Sequence, residues 1–136
     1  MVSTDPGRLD VDLIHGWLST DAYWALGRTR EAQVRAMAAS TTYGVYRVTD
    51  GRQVALARVV TDGVVFAYLC DVYVDRPERG TGLGTWLVES VVADLRAAGV
   101  KRITLRTADA HGLYAKLGFR DSEPAIWMEL GPTVGG

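Results

Sequence analysis

Val72-Tyr73-Val74-Asp75-Arg76-Pro77-Glu78-Arg79-Gly80-Thr81-Gly82-Leu83-Gly84-Thr85 decides how this chain folds, because two periodicities meet inside it. Upstream, Val64 to Val74 is rich in β-branched and aromatic residues and reads as a strand. Downstream, Leu83, Leu87, Val91 and Leu95 recur four apart, with Trp86 and Val88 widening the stripe. Gly82 to Ala98 therefore reads as an amphipathic helix lying on a sheet, ended by Gly99. Between the two segments, three glycines in five residues let main-chain N–H groups approach a ligand without interference from Cβ atoms. A helix start adds unpaired amides and the positive end of its dipole, which together favour a phosphate. The stretch is a candidate pyrophosphate cradle at a strand-to-helix turn.

Working outward, Arg102 to Thr107 reads as the next strand, and a strand–helix–strand unit implies parallel pairing. Before the cradle, Thr42–Val48, Val54–Val60 and Val64–Val74 are separated by turn signals at Asp50-Gly51 and Thr61-Asp62-Gly63, which predicts an antiparallel meander. Leu13, Ile14, Trp17 and Leu18 sit at helical spacing in a short helix from Val11, with a turn around Ser19 to Asp21. Thr29 caps a second helix through about Ala38, and a short strand near Leu9 to Val11 is a further candidate. Asp109 is placed to cap a helix from Ala110 to Leu117, stopped by Gly118, with Phe119–Asp121 and Ala125–Leu130 as closing strands. The expected architecture is α/β: a mixed central sheet of six to seven strands with helices on both faces. It forms one domain over residues 1–136, of which 131–136 are a loose tail.

Bulk properties narrow the function. A hydrophobic content of 48% with 23% charged residues is that of an ordinary globular protein. Fifteen basic against sixteen acidic residues leave a net charge of −1, so nothing advertises nucleic acid or an anionic membrane, and any phosphate site is local. The single cysteine, Cys70, forms no internal disulfide. Asp5, Arg8, Asp10 and Asp12 stand where a signal peptide needs an apolar run, and no apolar stretch approaches the roughly 20 residues of a membrane span. A cytoplasmic protein is expected. Two histidines and one cysteine without ligand spacing predict no metal site.

The cradle itself discriminates between phosphate compounds. Gly82-Leu83-Gly84-Thr85 has no lysine to reach terminal phosphates, which argues against a P-loop. The glycines follow Gly-x-Gly-x-Gly, not the dinucleotide fingerprint, and the preceding strand is at least the third. The flanks say more. Asp71-Val72-Tyr73-Val74-Asp75 followed by Arg79-x-x-Gly-x-Gly resembles motif A of the GNAT superfamily of N-acetyltransferases. Leu113-Tyr114-Ala115-Lys116-Leu117-Gly118-Phe119 is similar to that superfamily's Leu-Tyr-x-x-x-Gly-Phe segment, in the same order, and the likeness spans roughly Leu9 to Leu130.

The resemblance implies acetyl-CoA as co-substrate. Its pyrophosphate would lie on Arg79, Gly80, Thr81, Gly82, Leu83, Gly84 and Thr85, and its pantetheine arm along the main chain of Val72, Tyr73 and Val74. Asp109 falls where relatives contact the coenzyme. His111, three residues before Tyr114, would share its helix face and either relay protons or touch the arm, with a bond to nearby backbone as its alternative. Lys116 and Arg120 are candidate partners for the 3′-phosphate.

Acetyl transfer needs a neutral amine, a stabilised oxyanion and a proton for the departing thiolate. A main-chain N–H of the Val72–Tyr73 stretch would serve the oxyanion if the strand bulge of the family is present. Tyr114 matches the family tyrosine that protonates the coenzyme sulfur. The base is less plain: some relatives carry Glu-Asp where this chain has Cys70-Asp71, and Tyr68 replaces another family glutamate. Asp71 remains, either acting through water or binding a cationic acceptor, with a structural hydrogen bond as its alternative. Cys70 reads as a small buried residue.

Trp17, Tyr23 and Trp24, with Asp21 between them, fall in the segment that helps shape the acceptor site in the superfamily. Trp17 fits the core stripe. Tyr23 and Trp24 would line a site for a small cationic or partly apolar amine, or else support the loop or a homodimer contact. A small-molecule amine acceptor is expected, with a protein or peptide amine as the alternative. A non-catalytic acetyl-CoA sensor and an interaction module built on the aromatic helices are the rival classes.

Overall fold

The computed structural model describes residues 1–122 and 126–132. Their elements run β1 (Val2–Ser3), α1 (Val11–Asp21), α2 (Arg30–Ala38), β2 (Thr41–Tyr46), β3 (Gln53–Thr61), β4 (Phe66–Val74), α3 (Leu83–Ala97), β5 (Arg102–Leu105) and α4 (His111–Lys116), with short 3-10 turns at Pro6–Arg8 and Arg76–Glu78. The strands form one sheet in the order β1-β2-β3-β4-β5, antiparallel except for the parallel β4–β5 pair. The meander and the parallel crossover through α3 are therefore as expected.

Local chemistry accounts for the boundaries. Thr29 Oγ1 accepts from the Ala32 amide and starts α2, while Asp10 caps α1 by accepting from Leu13. Gly51 at φ +74° closes the β2–β3 hairpin. On one face of the sheet, Leu87, Val88, Val91 and Leu95 of α3 pack against Val45, Ala55, Ala57, Val59, Ala67 and Leu69. On the other, Ile14, Trp17, Leu18 and Met37 of the first two helices pack against Leu56 and Tyr73. Each fully buried leucine or isoleucine here contributes about 2 kcal/mol of apolar transfer.

Four details differ from the sequence reading. The N-terminal strand is Val2–Ser3, paired with Val45 and Gly44, and not Leu9 to Val11. Helix α1 runs through Asp21, over the turn expected at Ser19. Asp109 does not cap α4, whose N-cap is Ala110; the Ala110 amide is satisfied by Thr107 Oγ1 at 3.0 Å. The described residues hold five strands instead of six to seven. Phe119 cannot join the sheet, because its amide donates to Tyr114 O at the end of α4 and its ring stacks edge-on against Tyr114. Residues 126–130 follow β5 through side chains, with Arg106 paired to Glu129 at 2.6 Å and Arg102 over the Trp127 ring, without a ladder. The rest of the expected last strand, at Ala125, and residues 133–136 of the tail lie outside the described residues.

Candidate active site

The site is made by two interruptions of β4. In the first, β4 and β5 pair from Phe66↔Arg102 to Leu69↔Leu105 and no further, so Val72, Tyr73 and Val74 have no strand partner on that side. In the second, the β3–β4 register slips between Leu56↔Tyr73 and Arg58↔Cys70, leaving Asp71 and Val72 opposite Ala57 alone. This is a β-bulge, and Asp71 stands in it at φ +45°, the sole non-glycine with positive φ among the described residues. The extra residue reverses the strand's alternation. Before the bulge Ala67 and Leu69 face α3; after it Val72 and Val74 do. Asp71 has the parity of Leu69, so without the bulge it would enter the apolar core.

The bulge instead delivers Asp71 to the α1–α2 face, where it is buried and fully bonded. Its Oδ1 accepts from Trp24 Nε1 at 2.8 Å. Its Oδ2 accepts from Arg28 Nη1 and Arg58 Nε, each at 2.7 Å. Burial pushes the carboxyl pKa up, but the hydrogen bonds and charges of Arg28 and Arg58 outweigh it and hold the group below its ordinary value. An ionised carboxylate so held is a poor proton acceptor, and its geometry is that of an anchor.

Both interruptions open onto one cleft of about 1210 Å³, lined by β4, the glycine turn, the start of α3, the β5–α4 connection and the α1–α2 connection. Gly80 and Gly82 adopt φ of +81° and +83°, a backbone region that excludes ordinary side chains without strain. Gly82 is the N-cap of α3 and has no side-chain cap. The first helical bond is Trp86 N–H to Gly82 O, which leaves the amides of Leu83, Gly84 and Thr85 without a partner among the described residues. The amides of Gly80, Thr81 and Gly82 are likewise unpaired there, which makes six consecutive unpaired N–H groups; all but that of Thr81 belong to residues that line the cleft. Arg79 packs over the Tyr73 ring, donates from Nε to Val74 O at 2.9 Å and from Nη2 to Asp21 at 3.1 Å.

Tyr114 reaches the cleft from α4, and among the described residues its hydroxyl has no hydrogen-bond partner. Burial, with Tyr23 and Asp109 nearby, raises its pKa, so the phenol stays protonated. Cys70 Sγ donates to Arg58 O at 3.3 Å, and burial raises its pKa too. A protonated, hydrogen-bonded thiol is not an activated nucleophile.

The other sequence-singled residues divide. Asp109, Tyr23 and Trp24 line the cleft; His111, Lys116 and Arg120 do not. Tyr23 spans it, its hydroxyl accepting from Ala108 N–H at 2.8 Å, and its ring meets Trp24 edge-on. Asp21 is committed: Tyr73 Oη donates to it at 2.6 Å and Arg76 and Arg79 pair with it. Those bonds, Arg76 and Tyr73 foremost, hold its pKa far below the usual carboxylate range. Sequence reading missed Arg28 and Arg58. They lie 43 and 13 positions from Asp71 and on different elements, and no local pattern joins them. Among the described residues no three histidine, cysteine or acidic side chains cluster as metal ligands, and no helix is long and apolar enough to cross a membrane.

Residues 11–119 match the model of the acetyltransferase (GNAT) family. The chain belongs to that family. A Gibberella zeae protein named as an acetyltransferase is 34% identical to it, over 89% of this chain and 79% of that one. A crystal structure described as a GNAT-family acetyltransferase from Xanthomonas campestris is 44% identical, covers 97% of this chain and 92% of its own, and superposes with a TM-score of 0.90. The fold is shared more widely: a Mycobacterium tuberculosis protein, solved in complex with CoA, is 20% identical with a TM-score of 0.73, over 90% of this chain and 73% of its own. As a GNAT acetyltransferase the chain is an acyltransferase with an amine acceptor.

Proposed function

We propose that this GNAT protein transfers the acetyl group of acetyl-CoA to the primary amine of a small molecule by direct attack. The observation that carries the reading is the coincidence of two surfaces in one cleft. The unpaired amides of the Gly80 to Thr85 turn meet the stretch of β4 from Val72 to Val74 that has no partner strand, where Arg79 takes Val74 O. The first fits a pyrophosphate and the second fits an extended amide chain that adds to a strand. The CoA bound to the Mycobacterium tuberculosis protein on the same fold supports that assignment.

Acetyl-CoA supplies a thioester already reactive toward amines. The chain's part is to bind, orient and stabilise charge. Amides of the glycine turn hold the pyrophosphate, with Arg79 bracing the end of β4 beside them. A main-chain N–H of the bulge at Val72 is the donor this reading assigns to the carbonyl oxygen as negative charge develops on it. Tyr114 Oη, protonated and unpaired, gives its proton to the leaving sulfur and recovers one from water. Asp71 acts as a positioning residue: locked to Trp24, Arg28 and Arg58, it fixes the bulge and the wall of the acceptor end. The protonated Cys70 thiol favours direct attack over an acyl-enzyme.

The test is calorimetric titration with acetyl-CoA followed by thiol release across an amine panel. Micromolar binding with acceptor-dependent release is expected. Binding without release from any amine would instead make the chain a sensor, and no binding would remove the reading.

A further inference from the structure

We infer that the acceptor carries an anionic group, a carboxylate or a phosphate, beside its amine, and that Arg28 and Arg58 hold it. The inference rests on the acetyltransferase reading of the cleft and names the substrate class of its acceptor end. Two guanidinium groups line that end around one carboxylate, so Arg28, Arg58 and Asp71 together leave one positive charge. The neighbouring groups do not cancel it. Cys70 is a neutral thiol, and Arg106, also in the lining, is already paired with Glu129. Asp21, near the aromatic pair, is consumed by Tyr73, Arg76 and Arg79, and Glu78 is paired with Arg47. Asp109, on the β5–α4 connection, is the lining carboxylate without an ionic partner among the described residues, and it is not part of the Arg28–Asp71–Arg58 cluster.

The guanidinium geometry is the second argument. Neither arginine grips Asp71 with two nitrogens; each gives a single bond to the same oxygen, Oδ2. Arg28 spends Nη1 on both Asp71 and Gln33, which leaves its Nε and Nη2 edge without a partner among the described residues. Arg58 spends Nε on Asp71 and Nη1 on Ser40, which leaves Nη2. An unused two-nitrogen edge of arginine matches a carboxylate or a phosphate, and the second guanidinium adds to the same charge. The side chains are 21% and 13% exposed, so they are reachable yet partly shielded from water.

The experiment uses matched acceptors and free anions. Thiol release is compared for β-alanine against β-alaninamide and for phosphoethanolamine against ethanolamine, with putrescine as the cationic comparison. Separately, thermal shifts with malonate and with inorganic phosphate are read at constant ionic strength and saturating CoA, which keeps the glycine turn occupied. We expect the acidic member of a pair to have kcat/KM about tenfold or more above its neutral partner, and malonate or phosphate to raise Tm. In Arg28→Gln, anion affinity falls about tenfold or more and the acceptor preference shrinks accordingly. Arg28→Lys keeps the charge that Asp71 needs but loses the two-nitrogen edge, and falls between. The carboxylate and phosphate arms tell the two anions apart. Neutral or cationic amines acetylated as well as acidic ones, or an anion shift equal in wild type and both variants, would overturn the inference while leaving acetyl transfer intact. Absence of any CoA shift and of any release would instead strike the underlying reading.

Discussion

Replacing Asp71 by asparagine isolates the charge at the bulge from its shape. Asparagine tolerates the left-handed backbone nearly as well as aspartate, so φ +45° adds little strain of its own. What changes is bonding. Asp71 accepts at both oxygens, from Trp24 on one and from Arg28 and Arg58 on the other. An amide has one oxygen, and its NH2 must face either the indole N–H or the two guanidinium groups, donor against donor. Breaking a buried pair by removing one partner typically costs about 3–5 kcal/mol, and the partial exposure of the arginines places this case near the lower end, about 3 kcal/mol. For 136 residues the unfolding entropy near the transition is about 0.29 kcal/mol/K, so Tm should drop by about 10 °C. Acid dependence gives a second signature. The folded-state pKa of Asp71 is depressed, so its contribution is complete above the unfolded value of about 3.9 and is lost as pH falls through the folded value. The difference between wild type and Asp71→Asn should therefore be full at pH 7 and shrink below about pH 4. Urea and thermal unfolding at both pH values are the assays. A difference under about 0.5 kcal/mol at neutral pH, or one that widens in acid, would refute the anchor.

Four further outcomes follow from the site. Tyr114→Phe should lower acetyl-transfer turnover at least about tenfold with acetyl-CoA affinity nearly unchanged, because only the proton is removed; stopped-flow or steady-state kinetics under chemistry-limited conditions would show it. The raised pKa of the same hydroxyl predicts that the rate does not fall through its ionisation up to about pH 9, a limb that a pH profile of kcat reads directly. Gly82→Ala forces a Cβ into φ +83° and should both destabilise the fold by roughly 1–2 kcal/mol and weaken acetyl-CoA binding, measured by denaturation and calorimetry. His111→Ala should leave acetyl-CoA affinity within about twofold, since His111 lies outside the cleft; a larger loss in the titration would show that His111 contributes to holding the coenzyme.

Much of the scaffold was legible because local chemistry and tertiary packing agree. Thr29 caps where it was expected to, and the four-apart stripe of Leu83 to Leu95 packs on the sheet. The backbone of the glycine turn was legible for the same reason: glycine at a positive φ is a requirement written directly in sequence. Asp71 was harder. Its unusual setting is visible only as a parity break, Ala67 and Leu69 followed by Val72 and Val74, which a run of apolar residues disguises as an ordinary strand. Arg28 and Arg58 were not legible at all, because their shared partner comes from a third element and nothing in their own surroundings marks them. The expected strand at Phe119 failed on competition: the end of α4 takes the amide that a ladder would need.

The parting of β4 from β5 after Leu69 and Leu105 has one more consequence. A molecule with a half-finished sheet edge at its centre is completed by whatever pairs with that edge. Any compound that binds only the folded chain adds RT ln(1 + [L]/Kd) to its stability, about 2.7 kcal/mol at a hundredfold excess over Kd. Resistance to proteolysis, wherever it tracks the population of opened molecules, then rises with the concentration of that compound. The gap between two strands thus ties the persistence of the protein to the supply of what fills it.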